Sequence, residues 1–140
     1  MDRLPILRAY DVLNKSKRLK ELMNEINGQH EEKKQQNDDS FIFVGKVPSK
    51  YHKESLAPMI CLSHAVMTPQ FSADNKTNGE SLDFLLEIWV REIADLEKLF
   101  PIVNDCLESL YIEATKTGIE GETDLNLLIG WKKYNGYFAK

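Results

Sequence analysis

Two hydrophobic rhythms meet at residue 92, and no other feature constrains this chain as much. From Ser81 to Arg91 (SLDFLLEIWVR) every second residue is apolar. Leu82, Phe84, Leu86, Ile88 and Val90 make one face, opposed by Asp83, Glu87 and Arg91. That period of two predicts a strand with one face buried. From Ile93 the spacing changes to steps of three and four, through Ile93, Leu96, Phe100, Val103, Leu107, Leu110 and Ala114, which describes one side of a helix. Pro101 lacks the donor that an interior helical position needs and should bend or restart that helix. Gly118 is a candidate stop. A long strand feeding a long helix excludes both an all-helical bundle and an all-β sandwich.

The remaining segments fit around this pair. Leu4, Leu7, Tyr10 and Leu13, then Leu19, Leu22, Met23 and Ile26, form an apolar stripe broken at Asn14 to Lys17. Two helices, or one bent helix, are expected, with Ser16 capping the second. Asn27 to Ser40 (NGQHEEKKQQNDDS) has no apolar residue and reads as an exposed loop beginning beside the helix-stopping Gly28. Phe41 to Val47, closed by Pro48, reads as a strand. Met59 to Val66 reads as a second, half-buried strand, with Ile60, Leu62 and Val66 facing one way and Met59, Cys61, Ser63 and Ala65 the other. Met67 to Glu80 reads as a long polar connection ending at Asn78 and Gly79. Leu125, Leu127, Ile129 and Trp131 alternate again in a closing strand. The order is helix, strand, strand, long strand, long helix, strand. It specifies an α+β fold: a largely antiparallel β-sheet with helices packed on it, in a single domain over 1–140, with exposed loops at about 27–40 and 67–80.

Charge is distributed unevenly along the 140 residues. Met1 to Lys20 carries six basic and two acidic residues, whereas Glu80 to Asp124 carries twelve acids against Arg91, Lys98 and Lys116. An acidic centre argues against a general nucleic-acid binder, which needs a net basic face. A basic amino end and an acidic middle suit subunits that meet head to tail. No apolar run approaches the ~20 residues of a membrane helix, and the first residues, MDRLPILRAY, lack the pattern of a secretory signal. Synthesis in the cytoplasm and no membrane partner are expected. Cys61 and Cys106 are too few for a disulfide scaffold and read as small buried hydrophobes.

The search for chemistry is largely negative. Cys61 and His64, three apart on a strand, should point to opposite faces, a poor geometry for a shared metal. His30 has no second histidine four positions on, so the helical zinc-protease pattern is missing, and His30 and His52 read as loop residues. Nucleophile-elbow and phosphate-cradling motifs are lacking. Catalytic residues, cofactors and metals are therefore not expected, and the chain reads as no enzyme. Lys15, Lys17, Arg18 and Lys20 form a short basic cluster, read as a solvated helix face, with a nucleic-acid contact as the alternative. Leu85 and Trp89 share a strand face with Asp83, Glu87 and Arg91. Either a helix covers that aromatic or it anchors a partner.

These residues also carry a resemblance. The amino-terminal helix Ile6-Leu7-Arg8-Ala9-Tyr10-Asp11-Val12-Leu13 is followed by Leu19-Lys20-Glu21-Leu22. Then come the strand opening Pro58-Met59-Ile60-Cys61-Leu62, a long loop, the strand ending Leu86-Glu87-Ile88-Trp89-Val90, the amphipathic helix and an aromatic, basic closing strand. In this order and rhythm, over nearly its whole length, the chain resembles the tail terminator proteins of long-tailed bacteriophages, the class that includes the lambda minor tail protein U. Pro101 and the charged stretch Glu31 to Lys34 fall outside the family's pattern.

The resemblance implies a structural virion protein: a hexameric ring of identical subunits that caps the tail tube, ends its polymerisation and joins tail to head. Its implied partners are copies of itself, a tail tube protein, a head-completion or neck protein, and DNA passing through the lumen without specific binding. Its implied place is the virion tail, assembled in the host cytoplasm. Six spheres the size of this chain, of radius ~19 Å, leave a hole of roughly 37 Å, wide enough for a double helix. Trp89, Tyr134 and Tyr137 are candidates for subunit contacts, with core packing as the alternative. Glu92, Asp95 and Glu97 are candidates for lumen charge that keeps passing DNA from sticking. The two long loops are expected to order against neighbouring subunits or the tube. A head-completion or neck adaptor, or a small non-enzymatic nucleic-acid-binding regulator, are the alternative functions.

Overall fold

A computed structural model describes residues 3–28, 41–71, 74 and 76–139. Helix α1 (Pro5–Asn14) starts with proline at its first position, where the missing N–H costs nothing. Helix α2 (Lys17–Asn27) is capped as its sequence predicts: the Ser16 hydroxyl accepts from Leu19 N–H at 3.1 Å. Gly28, at φ 66°, ends it. Asn27 is not a loop residue but the buried last residue of α2, donating to the carbonyls of Ala57 at 2.7 Å and Ser55 at 3.1 Å. The rest of the polar stretch, 29–40, lies outside the described residues.

Strand β1 (Ile42–Val44) is shorter than the apolar run that announced it. Strand β2 runs Met59–Phe71 and β3 runs Thr77–Val90, with Leu82, Leu86, Ile88 and Val90 fully buried. Helix α3 (Ile93–Glu108) continues through Pro101 without a break, because that proline is on the exposed side. It stops well before Gly118, at Ser109, and the chain turns through Tyr111 at φ 60°. Strand β4 (Glu113–Glu122) follows, carrying Ala114 and Gly118, so neither belongs to the helix or its end. Strand β5 (Leu127–Ala139) closes the chain.

The sheet order is β1-β2-β3-β5-β4, with β1 parallel to β2 and every other pair antiparallel. The fold is α+β, with one five-stranded sheet and three α-helices among the described residues. These helices lie on one face, α1 on β1 to β3 and α3 on β3 and β4, with α2 against α3. Within the stretch 67–80, residues 68–71, 74, 76 and 78 are exposed and Gly79 is buried, and most of the described part is not loop. Met67–Phe71 and Thr77–Glu80 are paired strand, in register Met67↔Leu82 to Phe71↔Thr77.

The start of β2 is buried on both faces rather than one. Residues 45–58, with 3₁₀ turns at Ser49–Tyr51 and Glu54–Leu56, fold over the other side of the sheet. His52 meets Trp89 edge-on at 5.5 Å, Tyr51 lies 5.5 Å from both Phe41 and Phe43, and Arg91 donates to the carbonyl of Glu54. That cover accounts for Met59 and Cys61 being 0% and 2% exposed.

Candidate functional site

Cross-strand register determines what the helix-free face displays. The rows Met59↔Trp89↔Ile129, Cys61↔Glu87↔Trp131 and Ser63↔Leu85↔Lys133 run across β2, β3 and β5. Glu120 and Glu122 of β4 join the same face opposite Ile129 and Leu127. Beyond the cover of residues 45–58 this face is open among the described residues. It presents half-buried Leu85 and Trp131 and exposed Val66 and Tyr137 among Asp83, Glu87, Glu120 and Glu122. Trp131 lies flat across β4, where a Cβ on Gly118 would sit 2.1 Å from its ring. A glycine at 118 is what lets the indole lie down.

A cleft of about 300 Å³ opens at the border of the cover, lined by Val47, His52, Cys61, His64, Glu87 and Trp89 among others. Cys61 and His64 share it, although regular alternation would have set them on opposite faces. The pairing register shifts between Ser63 and Val66, with His64 at φ 53°, and the bulge changes the side on which His64 emerges. Ser63 Oγ lies 3.0 Å from His64 Nδ1. Trp89 Nε1 donates to Glu122 Oε2 at 3.1 Å, and His52 Nε2 is 3.9 Å from the same oxygen.

The electrostatics here are those of a half-dry acidic face. Burial is the main cause raising the Glu87 pKa above its usual range. Glu120 and Glu122 add to it, and His64 and the Ser63 hydrogen bond oppose it. Burial also pushes the Cys61 thiol up to about 11, so it stays protonated near neutrality and is not an activated nucleophile. No group of three or more His, Cys, Asp or Glu side chains among the described residues could hold a metal ion. No helix among them is long and apolar enough to cross a membrane.

The residues singled out from sequence fall into three environments. Tyr134 is a core residue, 2% exposed, stacked on Phe84 at 5.4 Å with its hydroxyl donating to Asn104 Oδ1 at 2.6 Å. Trp89 is also buried, under His52 and the chain around it. Neither ring is free on the surface, because β5 points Tyr134 at the helices and residues 45–58 cover Trp89. Tyr137 is 45% exposed, its hydroxyl 3.0 Å from the carbonyl of Asn78. Glu92 and Glu97 are exposed and Asp95 half-buried, all at the start of α3. Trp131, Glu120 and Glu122 were not singled out. β4 is so polar that no periodicity marked it as strand, and without β4 the face has no acidic border.

Neither a protein-family profile nor any curated protein sequence matches the chain. Among solved structures it is similar to a chain described as "Virion of native gene transfer agent (GTA) particle", with a TM-score of 0.60 and 11% identity. The match covers 94% of this chain and 92% of the other. At that identity the likeness is one of fold.

Proposed function

We propose that this protein is a structural virion component that closes with copies of itself into a ring on the end of a phage tail tube, ending the tube's growth and offering the face that joins tail to head. The observation that carries the reading is the shared fold over nearly the whole of both chains with a component of a virion particle. The open sheet face agrees with it, since a surface holding Leu85, Trp131, Val66 and Tyr137 suits a protein that works by contact. In this reading the ring has six subunits and Tyr137 lies at a subunit contact. Glu92, Asp95 and Glu97, which form no ion pair within the described residues, face the lumen and repel passing DNA.

Negative-stain images of the purified protein, alone and mixed with tail tubes, test the reading. Rings seated at tube ends are expected, and in particles lacking the protein, tubes of uncontrolled length. Tubes that still stop at their normal length and join filled capsids would overturn it. Rings found on capsid portals and never on tubes would instead assign a head-completion or neck adaptor. Reversing the charges of Glu92, Asp95 and Glu97 should slow DNA passage and lower infectivity, and unchanged infectivity would remove the lumen assignment alone.

A further inference from the structure

The two sides of the molecule differ in charge. The helix-free face carries Asp83, Glu87, Glu113, Glu120 and Glu122 against Lys116 and Lys133. The two lysines oppose each other across β4 and β5, which leaves the end holding Glu87, Glu120 and Glu122 rich in carboxylates beside the flat ring of Trp131, with Lys46, His52 and His64 as the basic side chains of the adjoining cleft. On the far side of the sheet, in the helix layer, Lys15, Lys17 and Lys20 stand at the corner between α1 and α2. Arg18 reaches Asp105 at 3.4 Å, whereas those three lysines have no carboxylate partner among the described residues.

We propose that the α1–α2 corner of one copy docks on the acidic end of the open sheet face of the next, placing Lys15, Lys17 and Lys20 against Glu87, Glu120 and Glu122 with Trp131 beneath them. The inference deepens the ring reading and rests on it. Docking one patch on a different patch is a heterologous contact, the kind that propagates head to tail and closes into a ring when the rotation allows. Charge complementarity selects the second copy over an unrelated partner, because both halves of the match are present on one chain. An ammonium over an indole face also gains from the ring's quadrupole.

A charge-swap series on the full-length protein tests this, read as the concentration at which monomer gives way to oligomer in sedimentation velocity, in solution and on added tail tubes. Lys17 and Glu120 are both exposed, so Lys17→Glu and Glu120→Lys should leave the circular-dichroism spectrum unchanged. Each alone should raise the midpoint concentration about tenfold. The double variant should recover to within about threefold of wild type, because the pair is restored with its sign inverted. Wild-type assembly with single variants that assemble equally well, or a double variant no better than the worse single, would overturn this docking and leave the ring standing. A wild-type protein that stays monomeric in solution and on tubes would overturn both.

Discussion

At Gly130 the sheet has no room for a side chain. A Cβ there would lie 2.5 Å from Leu96 Cδ2 and 3.0 Å from Phe100 Cζ, and Leu96 is 2% exposed and has nowhere to turn. The helix layer touches the sheet backbone at this point, so Gly130→Ala should destabilise the fold by about 1–3 kcal/mol through overpacking. The check is a lower urea midpoint with an unchanged slope. Glu87 makes the opposite case, a residue that the fold tolerates at a cost. Its folded pKa is raised, chiefly by burial, from an ordinary value of 4.5. Below that value the carboxyl is protonated in both states and makes no difference to stability. As pH rises above it, the unfolded chain ionises first, and stability falls until the folded carboxyl has ionised too. Glu87→Gln should therefore be more stable than wild type at neutral pH, with the gain vanishing as pH falls through 4.5. Urea midpoints of both proteins from acidic to neutral pH would show it. The side of the strand on which Glu87 sits was legible from alternation alone. That His64 joins it in one cleft was not, because a bulge depends on how two strands pair.

Pro101 marks where element-level reasoning and tertiary packing part. It sits inside α3, yet the helix is unbroken, since Leu96, Leu99, Ile102, Val103 and Leu107 bury one side and Pro101 faces water. Restoring an N–H towards the carbonyl of Glu97 removes the proline's helical penalty, while the freer unfolded chain takes back part of the gain. Pro101→Ala should thus stabilise the protein by about 1–2 kcal/mol, measured as a raised denaturation midpoint with native helicity. The same packing logic sorts what the sequence revealed. β3 and α3 were readable because each buries one face, and burial imposes a period. β4 was not, because Glu113 to Glu122 is exposed nearly throughout and bears no apolar pattern. The far ends of β2 and β3 read as loop in sequence for the same reason: from Thr68 to Phe71 the side chains face solvent, and only backbone pairing makes them strand.

At the scale of the whole molecule, a two-layer domain has covered one side of its sheet and only part of the other. The covered side is settled within the chain by the apolar faces of α1, α2 and α3. The open side mixes Trp131, Leu85 and Val66 with carboxylates, a composition that gains by contact. Sequence showed a basic start and an acidic middle. Only the topology, which carries β4 past β5 to the far edge, assembles Glu120 and Glu122 beside Glu87 and opposite the lysines of the helix layer. If contact between those two sides builds the ring, its strength must depend on ionic strength in a particular direction. Raising salt from about 0.1 M to about 1 M shortens the Debye length from about 10 Å to about 3 Å and weakens partly exposed charge pairs. Sodium chloride should therefore shift wild-type assembly towards monomer. The Lys17→Glu, Glu120→Lys double variant should keep the same direction of dependence, and each single variant, with one like-charged pair set among the remaining opposite charges, should show a weaker one. A contact made by Trp131, Leu85 and Tyr137 alone would behave otherwise, since excluded salts such as sulfate strengthen apolar burial. Sedimentation of the four proteins across that range separates the two kinds of interface by the sign of the slope.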